Sequence, residues 1–485
     1  MAKLNFPGER GNLYFSVCAA NLASVSIGTH YSWTSPTLPK LEASDSFLHL
    51  SVAEASWVGS LTAFGTLFGP FLGGWAMDKL GRRWTLLLAI VINMLGWAVL
   101  LLATSAWHIY VGRFLGGFAG GFVFVGLPVY VAEISEPQVR GPVGALFACL
   151  LVGGYLMEYV FGPYVSYAVL IWINLIPPVL FLLLFSFIPE SPYYFIRKND
   201  MSSALKSLAW LRTDRSPQEV QKELTSIQEE VTKSMAEKAR LSDLVRIRGN
   251  RKGLIISVCL LVGQQLSGIN AILFYAESIF IMSGTSFSSS VSSIIIGLVL
   301  FVVQGLAVPL TKPFGSKNLL IVSAAGMTVF QISLGMFFYL INKGYDMSSY
   351  PWWPLVSLVG FIILFSIGFG ILPYTVMGEM FPPNVKGIGS AISAGSSWFV
   401  AFLLTLFFND ISASLGPHFT FFLLSIFCFM DFLFAVFVLP DTRGLTLQEI
   451  LDLLNRQHGA KPKIQSDNEV VQLFLSERIS PRTDC

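Results

Sequence analysis

Charge is scarce in this chain. Only 12% of its 485 residues are Asp, Glu, Lys or Arg, against roughly 25% in a soluble domain. A soluble globule is therefore excluded. The net charge is only +2, so no basic excess points to nucleic acid as a partner. Cysteine is also scarce, with five in all. Cys18, Cys149, Cys259 and Cys428 fall in apolar stretches and Cys485 is the last residue, which argues against a disulfide framework and for buried packing thiols. There is no N-x-[ST] sequon and no GxxxxGK[ST] phosphate loop, and the five histidines are scattered. No metal-ligand set, catalytic triad or cofactor fingerprint is visible, which argues against an enzyme or an ATP-driven pump.

Apolar residues dominate instead. They make up 54% of the chain, and the mean hydropathy is +0.65. Stretches 85–104, 167–188 and 419–439 carry at most one charge each, and about 20 apolar residues suffice to cross a bilayer. The reading is an all-α membrane protein embedded in lipid. Its twelve spans are placed at 12–36, 55–77, 84–104, 108–132, 142–162, 166–188, 254–281, 290–311, 318–341, 354–378, 387–408 and 417–439. The first follows a short polar start without a small-residue cleavage site and reads as a retained helix. Lys79, Arg82, Arg83, Arg140, Lys312, Lys317, Lys386 and Arg443 fall on one side with the basic residues of 197–248, so both termini are expected to be cytoplasmic.

The polar segment 189–253 separates the spans into halves. The expected domains are 1–188 and 254–439, each a six-helix bundle, with a helical linker at 189–253 and a tail at 440–485. Ser216 followed by Pro217 reads as a helix start in the linker. The halves share phrases. "AEISEPQVRG" holds Glu133 and Arg140, and "GEMFPPNVKG" holds Glu379 and Lys386 at the same spacing. "PESP" with Glu190 follows span six, and "PDTRG" with Asp441 and Arg443 follows span twelve. Ordered landmarks recurring in each half mark a structural repeat, and such repeats place a cavity at their interface. A third phrase, "GWAMDKLGRR", carries Gly74 for close helix approach, Asp78 at the membrane edge, Gly81 for the reversal, and Arg82 and Arg83. In the second half "TKPFGSKN" retains only its glycine, Gly315.

In that order and spacing these phrases, with "GRFLGG" and "GQQLSGINAILFY", resemble the sugar transporters of the major facilitator superfamily. Within that family, "WTSPTLPKL" most resembles insect facilitated trehalose transporters and related facilitated glucose carriers. The resemblance implies a small-molecule sugar as partner, no cofactor, and a location in the plasma membrane. The implied inner gate consists of Asp78, Arg82, Arg83, Glu133, Arg140, Glu190, Glu379, Lys386, Asp441 and Arg443.

Span seven holds Gln264, Gln265 and Asn270, with Tyr275 beyond them. Amides both donate to and accept from hydroxyls, so they suit a sugar, but Gln and Asn also join helices in membranes. The resemblance favours sugar binding. In span ten, Gly368, Gly370 and Pro373 weaken the helix, giving either a gate or a plain kink. Tyr374 stands where the family carries a sugar-stacking Trp, and Trp398 in span eleven matches a second family aromatic. Elsewhere the family's polar positions are apolar or shortened: Ala148, Leu261, Leu300, Ser366 and Ala401. Gln304, Tyr155 and Ser397 are the residues available to reorganise the site.

His30, Glu158 and Asp431 are titratable groups within spans, where charge is costly. A neutral packed His30 and a Glu158 reaching the interface compete with functional roles, and Asp431 lies in a peripheral span. Neither Thr29 nor His30 is the acid that proton-coupled family members carry in span one. A facilitative uniporter of trehalose or a hexose is the expectation. A proton-coupled symporter and a non-transporting sugar receptor are the other readings.

Overall fold

The computed structural model describes residues 10–44, 46–236, 241–284, 287–443, 445 and 447–455, and among them every regular element is a helix. The tail beyond 455, including Cys485, and the side chain of Lys312 lie outside the described residues. The first half contains α1 (Gly11–Ser32), α2 (Thr34–Glu42), α3 (Val52–Leu67), α4 (Gly69–Leu80), α5 (Arg82–Leu101), α6 (Ala106–Ile134), α7 (Pro137–Phe161), α8 (Tyr167–Asn174) and α9 (Ile176–Phe185). The linker forms α10 (Pro192–Arg197), α11 (Met201–Leu211), α12 (Pro217–Ala236) and α13 (Leu241–Arg246). The second half contains α14 (Arg248–Leu266), α15 (Ile269–Phe274), α16 (Ala276–Met282), α17 (Ser289–Phe314), α18 (Ser316–Asn342), α19 (Trp353–Ile367), α20 (Leu372–Met380), α21 (Pro383–Leu415) and α22 (Pro417–Phe437), followed by α23 (Leu447–Asn455).

Grouping helices that continue one another gives twelve spans in two six-helix bundles. Among the described residues, ten stretches are long and apolar enough to cross a membrane by themselves. Spans one and two are not among them. Span one buries polar residues along its length, including Asn12, Ser16, Asn21 and Thr29, and span two breaks at Phe68 between α3 and α4. Large apolar side chains such as Leu102, Trp107, Trp172 and Phe437 face outward, as lipid-facing helices require. This is a multi-pass membrane protein.

Without a hydrophobic drive between helices in lipid, close packing rests on small residues. A Cβ on Gly69 would lie 2.1 Å from the Cα of Gly121, and one on Gly65 would lie 2.3 Å from the Phe114 carbonyl oxygen. Gly74, expected to permit such an approach, has nothing within 4 Å of a built Cβ; it faces a cavity instead. A second correction concerns the thiols. Of those expected to be buried, only Cys428 is; Cys18 and Cys259 are exposed on their helices.

Helix starts follow local chemistry. Ser51 and Glu54 form a reciprocal capping box at α3, and Ser216 and Glu219 do the same ahead of Pro217 at α12. The reversals between spans two and three and between spans eight and nine use Gly81 (φ +98) and Gly315 (φ +75), a region of backbone space that favours glycine.

Candidate functional site

The halves meet on the side away from the linker helices. Tyr275 projects from the end of span seven against Gly59, donates to the Thr405 carbonyl at 3.1 Å and stacks on Phe408. Tyr159 donates to the Leu273 carbonyl at 2.6 Å, and the Glu277 N–H donates to Ser35 Oγ at 3.1 Å. Towards the linker side the halves part around a cavity of about 840 Å³. Its mouth is bordered by Asp78, Arg82, Glu133, Arg197 and Lys386, and its inner walls by residues of spans two, four, five, seven, eight, ten and eleven.

Five of the six sequence-expected binding residues line this cavity: Gln264, Gln265, Asn270, Tyr374 and Trp398. Tyr275 does not. The chain breaks at Gly268 (φ +86) and again at Tyr275, so a helical stripe drawn from Gln265 does not extend to it. The amides are oriented by one another. Asn270 Nδ2 donates to Gln265 Oε1 at 2.6 Å, Gln265 Nε2 donates to Ser397 Oγ at 3.0 Å, and Ser397 Oγ donates to the Leu261 carbonyl at 3.1 Å. Gln264 Nε2 donates to the Phe369 carbonyl at 2.5 Å. Interhelical joining and cavity lining thus belong to the same side chains. Gln304 lines the cavity as well.

Span ten is broken, not merely kinked. After α19 the chain runs irregularly from Gly368 to Ile371, with Gly370 N–H bonded to the Phe365 carbonyl at 2.7 Å, and α20 restarts with Pro373 in its first turn. That break sets Tyr374 at the cavity wall, 37% exposed.

Of the positions where family amides or acids are replaced, Ala148 and Leu300 line the cavity. Leu261 and Ala401 are fully buried, and Ser366 is bonded to its own helix at the Ile362 carbonyl. Sequence reasoning did not pick out Phe124 and Phe147, which also line the cavity; Phe124 packs 5.4 Å from Trp398 and 5.5 Å from Phe147. No sequence signal separated them from ordinary packing aromatics.

The charged phrases build one network in each half. In the first, Arg82 binds both oxygens of Glu133, with its Nη2 at 2.8 Å, and Ser191 Oγ donates to Glu133 Oε2 at 2.5 Å. Glu190 accepts from the N–H groups of Arg82, Arg83 and Ser191, while Arg83 Nη2 donates to the Ser186 carbonyl. Burial still raises the Glu190 carboxyl above its ordinary range, against those N–H bonds and the Arg82 charge. In the second half, Thr442 Oγ1 donates to Glu379 Oε2 at 3.0 Å, and Asp441 accepts from the Arg443 N–H at 3.1 Å. Lys317 Nζ donates to the Leu439 carbonyl at 2.6 Å, and Arg443 packs over Gly315. Ser191 and Thr442 are therefore equivalent, as are Arg83 and Lys317. The shared step from Gly81 to Arg83 and from Gly315 to Lys317 was the available signal. Arg140 donates to its own Ser135 carbonyl, Asp78 pairs with Arg197 at 3.4 Å, and Lys386 stands by Glu379 and Gly378. Among the described residues, none of these gate charges is bonded across the halves.

The intramembrane charges lie off the cavity. His30 stacks on Trp97 at 4.1 Å, and its carbonyl accepts from Arg113, a fully buried arginine that also donates to the Val58 carbonyl at 3.1 Å. Glu158 accepts from Asn174. Asp431 abuts Gly263, immediately behind Gln264: a Cβ on that glycine would lie 1.9 Å from Asp431 Oδ1.

A family model described as "Sugar (and other) transporter" matches residues 18–454. The facilitated trehalose transporter Tret1 of Polypedilum vanderplanki is 35% identical over 439 residues, covering 89% of this chain and 86% of that protein. The Tret1-2 homolog of Drosophila sechellia is 35% identical over 449 residues, covering 91% and 92%. Among solved structures, the xylose transporter XylE from E. coli in a partially occluded inward open conformation has a TM-score of 0.75 at 22% identity, over 90% of this chain and 99% of that one. XylE bound to 6-bromo-6-deoxy-D-glucose has a TM-score of 0.71 at 22% identity, over 92% and 100%. At this identity the structural likeness speaks to fold.

Proposed function

The chain belongs to the sugar transporter family of the major facilitator superfamily, and from that membership we propose that it carries trehalose or a hexose across the plasma membrane by facilitative alternating access. Bundles 1–188 and 254–439 are the moving bodies. The linker 189–253, the tail 440–485 and both termini are cytoplasmic, in keeping with the basic residues on that side. The cavity therefore faces the cytoplasm in this conformation. The observation that carries the reading is the amide set at the cavity wall between the halves: Gln265 and Asn270, bonded to each other, with Gln264 beside them.

In this reading the amides hydrogen-bond sugar hydroxyls, Tyr374 and Trp398 stack on the ring, and Tyr275 closes the outer side. The gate charges Asp78, Arg82, Arg83, Glu133, Arg140, Glu190, Glu379, Lys386, Asp441 and Arg443 close the inner side when the halves approach there. The acids on the cavity lining, Asp78 and Glu133, both lie at its mouth, which favours uniport over proton coupling.

Uptake of labelled trehalose and glucose into proteoliposomes, with and without a pH gradient, tests this. Downhill uptake that persists after protonophore treatment is expected. Accumulation that collapses with the gradient and is lost in Glu158→Gln would establish symport. Sugar binding without flux would make the protein a receptor.

A further inference from the structure

We propose that the cavity is shaped for a glycoside: a sugar ring on the second half and an apolar, ring-sized aglycone on the first. This rests on the reading above, that the cavity takes a sugar. The two walls differ in kind. The second half sets Gln264, Gln265, Asn270, Gln304, Tyr374 and Ser390 among apolar residues such as Leu273 and Met377. The first half, away from the charged mouth, offers Phe124, Phe147, Ala148, Leu151 and Val152, with the hydroxyl of Tyr155 as its polar side-chain group. Leu300 extends the apolar surface, and Gln304, one helical turn on along α17, brings the polar surface towards the mouth. Phe147, Phe124 and Trp398 form a continuous aromatic run.

A free hexose or disaccharide carries hydroxyls on every side. When the halves close over it, hydroxyls facing the first half leave water for a wall with one hydroxyl to offer, and unmet polar groups are penalised. An aromatic or aliphatic substituent there loses no hydrogen bond and gains from burial and ring packing. The cavity of about 840 Å³ lies within the size range of pockets that enclose a drug-sized ligand, and so has room for a ring beyond one sugar.

The test compares glucose with phenyl β-glucoside, by calorimetric binding to the purified full chain and by inhibition of trehalose uptake in proteoliposomes. Phenyl β-glucoside should bind at least about tenfold more tightly than glucose. Ala148→Gln, and independently Leu300→Asn, should narrow that ratio to about threefold or less by restoring a hydroxyl partner. Equal affinities in the parent protein, with trehalose or glucose still moving, would overturn the glycoside inference and leave sugar carriage standing. A ratio unchanged in both folded variants would overturn the assignment of the apolar wall. Absence of binding and flux for all three sugars would remove the reading on which the inference rests.

Discussion

At Asn270 one side-chain amide ties the two sides of a broken helix together. Its Nδ2 donates across the break to Gln265 at 2.6 Å while the residue lines the cavity. Removing it frees Gln265 Oε1 to face water in the open cavity, so folding should lose little. A sugar hydrogen bond is worth about 1 kcal/mol or somewhat more, and binding in the millimolar range corresponds to only about 4 kcal/mol. Asn270→Ala should therefore lower uptake at subsaturating sugar several-fold with normal surface expression, and unchanged uptake would take Asn270 out of the site. The residue types at this wall were legible because Gln and Asn are conspicuous in hydrocarbon. The orientation of Tyr275 was not, since a positive φ at Gly268 ends the helical periodicity from which faces are read. Nor were the faces of Cys18 and Cys259, because apolar helices in lipid carry no polar side to mark the outside.

The helix breaks are the features that place the site. Span seven divides at Gly268 and Tyr275, and span ten between Ile367 and Leu372. The span-ten break was legible from Gly368, Gly370 and Pro373; the span-seven break was not, because one glycine in "LSGIN" does not distinguish a break from close packing. Packing behind span seven suggests a further test. Asp431 presses on Gly263 from span twelve, and its Oδ2 has no hydrogen-bond partner among the described residues. Gly263→Ala should thus displace α14 beside Gln264, at an overpacking cost of about 1–3 kcal/mol. Adding Asp431→Ala should restore most of the lost thermal stability and sugar binding, because the obstructing carboxylate is gone. A double variant no better than Gly263→Ala alone would show that the contact is not the cause.

For the whole molecule, the paired phrases make sense as two copies of one device. In each half, a hydroxyl just after the sixth span fixes the glutamate at the end of the fourth: Ser191 on Glu133, and Thr442 on Glu379. The repeat was legible as a pattern, and the Gly-to-basic step was there to pair Arg83 with Lys317, but the hydroxyls of Ser191 and Thr442 stood out only from the bonds they make. With the linker side open, none of these charges is bonded across the halves among the described residues, so any such bond would belong to the closed state alone. A contact present in one state only shifts the balance by its differential energy. Partly exposed pairs contribute about 1 kcal/mol or less each, though a network can reach several. Neutralising Arg140 and Lys386 together should therefore favour the inward-open form. Gly74→Cys reports on the inner cavity, since a side chain there meets open space. Val52→Cys reports on the outer pocket, which Val52 lines beside Tyr275. Against the labelling of the native cysteines, the first should react faster and the second more slowly once Arg140 and Lys386 are neutral. Charges that only fix topology would leave both rates unchanged at normal surface expression, and that result would reject the clamp.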